Sequence, residues 1–455
     1  MPDITDGEPQ GGWYRPIGLT NPPDAVQPVI LARTAQVGDD PTDLLRRLNE
    51  HLEKAGSQWR LRPEENPVPG GAALTVPMVT PFLLDWRPEA QPEPVTEPAE
   101  LLPFLRGRGV DKASLDPFVF PAPAYKPSAL TSGDFGRVPV QVLARPPRGR
   151  KGGGRRPVVA LLDTGIDEHA WLGPADAHLG GDGFWVDARD LGWNPGPRAP
   201  QRGNGEPIRE PGRQLGKQEG HGTFSAGLIR QLAPDAQVLV VPVIHGGGFI
   251  CGDHLVNAVT WLHGQPVDIV CLPMDFTPVL PADAKVLAWL GTALGALGHA
   301  GVQVVAAAGN DGRDHPTYPA AFAVADATPE TPLISVGALN PNGTSRAYYS
   351  NFGPWVTDWA VGTSVVSCFP AIDGGANPEL GPFDQERPPA ESVDPDDFRG
   401  GFARWSGTSF AAAVVAGRLA DALAQQDAQP LGDGPSVDER RRRVAEALKS
   451  VRAPA

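Results

Sequence analysis

The chain has 455 residues, 41% apolar and 20% charged, so it is long enough for two or three domains and can bury a large core. Its 39 Lys and Arg residues against 53 Asp and Glu leave a net charge of −14, which argues against a general nucleic-acid binder. No apolar run reaches the roughly 18 residues that span a bilayer, and the acidic start lacks the apolar region of a secretory signal. We therefore expect a cytoplasmic protein without membrane or nucleic-acid partners.

The three cysteines are Cys251, Cys271 and Cys368. An odd number cannot pair completely within one chain, and two of them lie in apolar, strand-like segments. This pattern predicts buried free thiols rather than a disulfide framework.

The first third of the chain divides into a flexible arm and a small α+β region. Residues 1–28 are rich in Pro and Gly and lack any hydrophobic period, which is typical of a flexible arm. Residues 29–144 contain the pattern of a β-α-β unit, with a helix that opens at Asp40-Pro41. The predicted segments are a strand at 29–35, a helix from Pro41 to Gly56, and strands near 59–61 and 72–79.

Two segments in and after this region have the composition of linkers. Residues 87–100 alternate Pro and Glu, which predicts a stiff, solvated linker. Residues 145–156 are basic and Gly-rich, which favours an exposed tether and a natural cleavage site over an anion-binding site.

Residues 157–455 have the pattern of an α/β domain. Short runs rich in Val, Ile and Leu alternate with helical segments, which predicts a mainly parallel sheet covered by helices on both faces. The basic run at 440–443 falls in the last predicted helix, where we expect it to be solvated. The predicted strands are 158–162, 237–244, 267–272, 302–308 and 333–338, and the predicted helices are 221–231, 254–263, 284–300, 409–425 and 436–451.

An aspartate and a histidine occupy positions where such a sheet places functional groups. Asp163 ends the fully apolar strand 158–162 and is followed by a small-residue turn. His221 lies between two glycines at the start of a helix, so another backbone or a substrate can approach its ring. Alone, each residue could equally serve a structural role, Asp163 as a turn cap and His221 as an ordinary buried histidine.

A serine and an asparagine complete the set. Ser409 opens a helix of small residues, where its backbone N–H is unpaired and can bind a developing oxyanion while its hydroxyl attacks. Asn310 follows the strand at 302–308 and can donate its side-chain N–H to the same oxyanion. The alternatives are an N-cap serine and a left-handed turn asparagine.

Taken together, these segments resemble the subtilisin-like serine proteases. The residues follow that family's chain order of Asp, His, Asn and Ser. The similar strings are Asp163-Thr164-Gly165-Ile166-Asp167, Gly220-His221-Gly222-Thr223 and Gly407-Thr408-Ser409. The resemblance covers about residues 157–427 and implies a three-layer α/β/α fold with a mainly parallel sheet.

The resemblance also implies an activity, that of a serine endopeptidase acting on a peptide or protein substrate through an acyl-enzyme. In such a mechanism His221 takes the proton of Ser409, Asp163 orients His221, and Asn310 with the Ser409 N–H holds the oxyanion. No cofactor is needed, and the segment after Asp163 has no clear match to the family's calcium site.

The substrate-binding segments depart from the family pattern. Where the family typically has Ser-Leu-Gly-Gly, this chain has Leu272-Pro273-Met274-Asp275, so Pro273 removes an N–H donor from the strand that would pair with substrate. We expect Met274 and Asp275 to narrow the cleft. The residues expected to line it are Gly247 and Gly248 on one rim, Leu272, Pro273 and Met274 on the other, and Ala308 and Gly309 near the oxyanion site.

Two long insertions, residues 186–218 and 370–402, precede the histidine and the serine. The second is acidic, which predicts basic partners or substrates. Two functions are compatible with the sequence: a dedicated intracellular processing or regulatory protease, and a catalytically silent relative that binds peptides or partners through the same cleft. The second is motivated by the altered substrate edge and opposed by the presence of all four chemical groups.

Two interpretations of residues 29–144 stay open. One is an inhibitory or folding-assisting prodomain that docks on the active site; the other is a partner-binding or targeting module.

Overall fold

The structure is a computed structural model. It describes most of the region after residue 136 and isolated elements before it. The arm at 1–28 and the linker at 87–100 lie outside the described residues, as do large parts of both insertions. The described ranges are 29–33, 41–54, 59–63, 79–86, 113–115, 118–119, 137–149, 155–194, 218–244, 250–277, 283–325, 333–372, 397–426 and 436–452.

A four-stranded antiparallel sheet and one helix form the described part of the N-terminal region. The third strand lies between the first two and pairs antiparallel with both, so the predicted β-α-β unit is split by an inserted strand. That strand runs over Val79–Trp86, later than the predicted 72–79, whose first residues are not described. The elements are β1 Val29–Arg33, α1 Pro41–Lys54, β2 Trp59–Pro63, β3 Val79–Trp86 and β4 Ala113–Leu115.

Two short strands that follow connect this region to the rest of the protein. β5 (Phe118–Val119) pairs with residues 250–251, and β6 (Val138–Pro139) pairs with residues 403–404. The predicted boundary near residue 144 therefore lies in a stretch of chain that is already hydrogen-bonded to the C-terminal region.

The remaining strands build the main sheet and a small second one. The central strands of the main sheet are short, rich in Val, Leu, Ile or Ala and almost entirely buried, as expected for strands covered on both faces. The remaining strands are β7 Val158–Asp163, β8 Ala175–Asp176, β9 Trp185–Asp187, β10 Gln237–Pro242, β11 Ile250–Cys251, β12 Ile269–Leu272, β13 Gln303–Ala307, β14 Ile334–Leu339, β15 Asp358–Val361, β16 Val365–Cys368 and β17 Phe402–Trp405.

Eight of these strands form one parallel sheet in the order β15-β14-β13-β12-β7-β10-β9-β8. The order reverses around β7, so the carboxyl ends of β7, β12 and β13 border a crevice where open α/β sheets bind ligands. A separate antiparallel sheet has the order β16-β17-β6.

The helices cover both faces of the parallel sheet and agree closely with the predicted segments. Side chains of β7 alternate between the faces: Val159 and Leu161 join one core, and Val158, Ala160 and Leu162 join the other. The first core includes α2, α6 and α7, and the second includes α3 and α4. The helices are α2 His221–Leu232, α3 Gly252–Trp261, α4 Asp283–His299, α5 Phe322–Ala325, α6 Thr408–Gln426 and α7 Val437–Arg452, with 3-10 turns at Ala188–Leu191 and Leu262–Gly264. The three-layer α/β/α fold predicted from the sequence is confirmed.

Cys271 and Cys368 are buried free thiols, as predicted. Burial raises the pKa of both, that of Cys368 to about 12. None of the helices in the described ranges is long and apolar enough to cross a bilayer.

Two arginine-rich segments make more contacts than predicted. Arg155, at the end of the predicted tether, forms a bidentate ion pair with the Asp268 carboxylate, with N–O distances of 2.8 and 2.9 Å. In α7, Arg440 donates to the carbonyl of Val267 at 2.5 Å, and Arg441 donates to that of His299 at 3.1 Å. The prediction of a merely solvated run at 440–443 was therefore wrong, because the amino ends of neighbouring strands present carbonyl and carboxylate oxygens to these cations.

Candidate active site

The fold brings the four predicted chemical residues to one edge of the parallel sheet. Asp163 is the last residue of β7, and Asn310 lies three residues beyond the end of β13. His221 is the first residue of α2, and Ser409 is the second residue of α6. All four are buried, none being more than 5% exposed.

Asp163 and His221 share a buried hydrogen bond. The His221 Nδ1 atom lies 2.8 and 2.9 Å from the two carboxylate oxygens of Asp163, and it donates because a carboxylate only accepts. The Thr164 N–H donates to the same carboxylate at 2.7 Å. The proton on Nδ1 leaves Nε2 with its lone pair free, and Nε2 has no hydrogen-bond partner within the described ranges.

Aromatic rings enclose the imidazole of His221. The Trp405 ring meets it edge-on at a centroid distance of 5.5 Å, and the Phe410 ring lies 5.2 Å away. Behind this wall, the Arg137 guanidinium lies 5.1 Å from the Trp405 centroid and donates to the Glu219 carbonyl at 2.6 Å. Burial lowers the pKa of Arg137 to about 10, and the Glu219 carboxylate opposes part of that decrease. A residue outside the predicted peptidase domain thus supports the segment that carries His221.

The two glycines around His221 meet the steric need predicted for them. Gly220 adopts a left-handed backbone conformation with φ of 80°, and a Cβ there would lie 2.3 Å from the Phe369 ring. A Cβ on Gly222 would lie 2.1 Å from the carbonyl oxygen of Gly165, because helix α2 packs directly on the turn after Asp163. The glycines therefore let the helix approach closely enough for His221 to reach Asp163.

The Ser409 hydroxyl lies at the start of α6 and forms no hydrogen bond with His221. Ser409 Oγ donates to the carbonyl oxygen of Pro273 at 2.8 Å. Its backbone N–H is among the first in the helix, which have no acceptor within the helix. The ring of Phe410, the residue after Ser409, packs against His221, so Ser409 lies near the imidazole with its hydroxyl directed at the segment after β12.

The orientation of the Asn310 side chain is determined by Thr408. Asn310 Oδ1 accepts the Thr408 backbone N–H at 2.8 Å and the Thr408 hydroxyl at 2.9 Å. The Thr408 oxygen in turn accepts the Gly309 N–H at 3.0 Å. These bonds identify the carbonyl end of the amide, so Asn310 Nδ2 is the free donor, and it has no acceptor among the described residues.

Most of the residues predicted to bind substrate are buried or already hydrogen-bonded, and two of them are not described. The side chains of Leu272, Met274 and Ala308 are fully buried in the hydrophobic core, so they are not exposed to a substrate. The main-chain N–H and C=O of Ala308 are engaged as well, with Val336 and Thr317 respectively. Gly309 N–H and C=O are both engaged, with Thr408 and Asn351 respectively. Gly247 and Gly248 lie outside the described residues.

Sequence reasoning gave Asp275 only a steric effect, whereas the structure shows an unusual carboxyl group. Asp275 is 3% exposed, and burial together with the charge of Asp311 raises its pKa well above the usual value. The sequence signal that could have identified Asp275 is its position just beyond a buried parallel strand, where such sheets present functional groups. The structure also shows Arg137 and Thr408 as supporting residues that the motif analysis did not single out.

Within the described ranges, no group of three or more His, Cys, Asp or Glu side chains is arranged to hold a metal ion. The chemical groups that the described residues present at this edge of the sheet are a buried imidazole, a hydroxyl and two N–H donors.

Comparison with known proteins agrees with the geometry. The subtilase family model matches residues 154–440, well over half of the chain. An alkaline protease of Alkalihalobacillus alcalophilus is 28% identical over 277 residues, which cover 58% of this chain and 61% of the relative. Subtilisin Savinase of Lederbergia lenta is 29% identical over 240 residues, 51% of this chain and 72% of the relative. The match thus spans about three fifths of the first of these relatives.

A solved structure described as a cold adapted subtilisin-like serine proteinase aligns with 68% of this chain and 90% of its own, with 18% identity and a TM-score of 0.41. The family assignment depends on the extent of the match to the family model, which contains all four residues of the candidate site. This chain belongs to the subtilase family.

Proposed function

We propose that this protein is a serine endopeptidase in which Asp163, His221 and Ser409 form the catalytic triad. The observation that carries the proposal is the buried pair of His221 and Asp163, which leaves a free imidazole nitrogen in the pocket that holds Ser409. The carboxylate keeps the proton on Nδ1, so Nε2 is available as general base. Family membership supports the same assignment.

The reaction begins with rotation of the Ser409 side chain about its Cα–Cβ bond. Oγ leaves the Pro273 carbonyl and turns toward His221 Nε2, which removes its proton as Oγ attacks the peptide carbonyl carbon. His221 then gives that proton to the leaving amine, and an acyl-enzyme on Ser409 remains. Water attacks the ester with His221 again as base, which releases the acid product and restores the serine.

The oxyanion of each tetrahedral intermediate requires donors that are in place beforehand. Asn310 Nδ2 is buried and unpaired in the described structure, and the Ser409 N–H opens a 19-residue helix whose dipole favours negative charge at this end. Such donors act strongly because they need no reorganisation during the reaction. Asn310 and the Ser409 N–H are therefore the proposed oxyanion hole.

We further propose that the enzyme cuts few substrates, as a processing or regulatory protease does. Pro273 has no N–H to donate to a substrate strand. The side chains of the neighbouring Leu272 and Met274 are buried in the hydrophobic core. Digestion of a peptide library, read out by mass spectrometry, tests this: a narrow set of cleaved sequences is expected, and broad cleavage would contradict it. The cytoplasmic location stays a prediction from the sequence.

The test of the catalytic assignment is the intact mass of the full chain after treatment with a fluorophosphonate. One adduct is expected on the wild type and none on Ser409→Ala. Ser406→Ala is the matched control, because Ser406 is equally buried and lies three residues away; it should label normally. Equal labelling of Ser409→Ala would mean that a different residue is the nucleophile.

One observation favours a second function, a catalytically silent peptide-binding protein. The Ser409 hydroxyl bonds to Pro273 and not to His221, as it would if the nucleophile were never activated. A folded wild-type chain that takes no fluorophosphonate and still binds peptides would establish this alternative and overturn the protease.

A further inference from the structure

A carboxyl group that the proposed reaction does not use lies beside the reaction centre. Asp275 comes two residues after Pro273, whose carbonyl accepts the Ser409 hydroxyl. From the other side, a Cβ built on Gly309 would lie 2.5 Å from Asp275 Oδ2, and Gly309 immediately precedes Asn310. The Asp275 carboxyl thus lies beside Gly309, in the segment whose Pro273 carbonyl accepts the Ser409 hydroxyl.

The backbone holds Asp275 firmly in this position. The next residue, Phe276, exchanges two hydrogen bonds with Tyr318, at 2.7 and 2.8 Å. The hydroxyl of the adjoining Thr317 donates to the Ala308 carbonyl at 2.6 Å. The segments on both sides of the carboxyl are therefore hydrogen-bonded to each other, which fixes the position of the backbone that carries Asp275.

Asp275 has no cationic partner within the described part of the chain. No Lys, Arg or His there pairs with it, and its Oδ1 has no hydrogen-bond partner although the residue is 97% buried. Burial and the charge of Asp311 both disfavour the ionised form, so the pKa of Asp275 is raised. A cation bound beside the carboxyl would favour that ionised form and satisfy the unpaired oxygen, and a buried carboxyl of this kind is a candidate for binding one.

The geometry points to Asp275 as the residue that selects a cationic side chain, Arg or Lys, at the substrate residue whose carbonyl is attacked. This inference rests on the proposed function. The carbonyl carbon has to lie between Ser409 Oγ and Asn310 Nδ2. The side chain on that same residue therefore starts beside the segments of Pro273 and Gly309, and these two segments flank Asp275. A guanidinium or ammonium would supply the missing cation and hydrogen-bond donors.

The first experiment compares peptides that are identical except for Arg, Lys or Met at that residue. Met is the neutral reference, because its unbranched side chain resembles the Lys stem. In the wild type, kcat/KM for Arg should exceed that for Met by about 100-fold, the usual scale for a buried charge pair. In Asp275→Asn, the Arg-to-Met ratio should fall by about the same factor. Asp314→Asn, which alters an exposed carboxylate in the neighbouring loop, should keep the wild-type ratio.

A second measurement needs only the wild-type chain, so it stays decisive if Asp275→Asn does not fold. Fluorophosphonate labelling of Ser409 is followed in the presence of propylguanidinium or of its neutral analogue propylurea. Protection by the cation alone is expected. Equal protection by both, together with equal cleavage of the Arg and Met peptides, would overturn the role of Asp275.

The labelling also separates the two proposals. A chain that labels at Ser409 but prefers Met, with an unchanged ratio in Asp275→Asn, keeps its protease function and loses the inference about Asp275. A folded chain that never labels loses the protease function, and the inference falls with it.

Discussion

Thr408 turns the Asn310 amide by donating two hydrogen bonds to its carbonyl oxygen, at 2.8 and 2.9 Å. The same contact closes the first turn of α6, since one of the donors is a helix N–H that would otherwise be unpaired. The Asn310 side chain therefore caps the helix that carries Ser409 and keeps its own Nδ2 donor unpaired beside the start of that helix. Two hydrogen bonds thus fix the proposed oxyanion donor relative to the proposed nucleophile.

Replacing Asn310 should remove transition-state stabilisation. We expect Asn310→Ala to lower kcat by about 100- to 1,000-fold with little change in KM, because the donor acts on the oxyanion and not on the ground state. Thr408→Val, which keeps the shape but removes the hydroxyl, should cause a smaller decrease. Steady-state kinetics on a cleaved peptide provide the measurement, and a change confined to KM would argue against an oxyanion role.

Asp163→Asn tests whether Asp163 orients His221, because His221 itself is retained in this variant. The amide has nearly the same shape but cannot hold the proton on Nδ1, so Nε2 would carry it and could not act as base. We expect a loss of about 10,000-fold in kcat, with the fold retained. Circular dichroism and kcat measured on one preparation test this; a loss below tenfold would exclude Asp163 from the triad.

Gly222→Ala should disturb the site through packing. Its Cβ would lie 2.1 Å from the Gly165 carbonyl, so α2 has to move away from the turn after Asp163. Overpacking of this kind costs about 1–3 kcal/mol of unfolding free energy, and activity should fall as well. Gly264→Ala is the control, because nothing lies within 4 Å of its added methyl. Denaturant unfolding of both variants gives the comparison, and equal stability would show that the backbone yields without cost.

Arg137→Met should weaken the support of His221 from a distance. It removes the hydrogen bond to the Glu219 carbonyl and the contact with the Trp405 ring while preserving most of the stem. We expect the free energy of unfolding to fall by about 1.5–3 kcal/mol, the usual contribution of a hydrogen bond from a charged donor. Labelling of Ser409 by the fluorophosphonate should also become slower. Arg148→Met, at an exposed position in the same stretch, should match the wild type in melting temperature and labelling rate. If both variants behave alike, residues 137–149 do not support the site.

Asp275 should make stability depend on pH. Its pKa is raised in the folded protein by burial and by Asp311, so between about pH 4, the unfolded value, and the raised value the native state binds more protons than the unfolded state. The stability that it contributes is fully present below about pH 4 and is lost as pH rises through the raised pKa. The melting temperature of Asp275→Asn relative to wild type should therefore increase with pH over this range. Parallel curves would show that Asp275 does not titrate in the folded state.

The local sequence was sufficient for the main elements of the C-terminal region. Buried parallel strands such as β7 are continuous apolar runs, and helices such as α6 begin at recognisable small-residue motifs, so both could be predicted within a few residues. The carboxyl ends of the strands then indicated Asp163 and Asn310. The N-terminal strands were less predictable, because several apolar runs compete there and β3 is defined by its pairing with β1 and β2.

Only the tertiary structure decided which residues far apart in the chain come into contact. Arg137 lies 82 residues from Glu219, and Asp275 is close to Gly309 only because β12 and β13 are neighbours in the sheet. Nothing in the local pattern of an arginine or an aspartate states whether folding will pair it or leave its charge buried. The sequence by itself determined the elements and the chemical groups, since these depend on local spacing, whereas packing decided which carbonyl Ser409 contacts and which carboxyl lacks a cation.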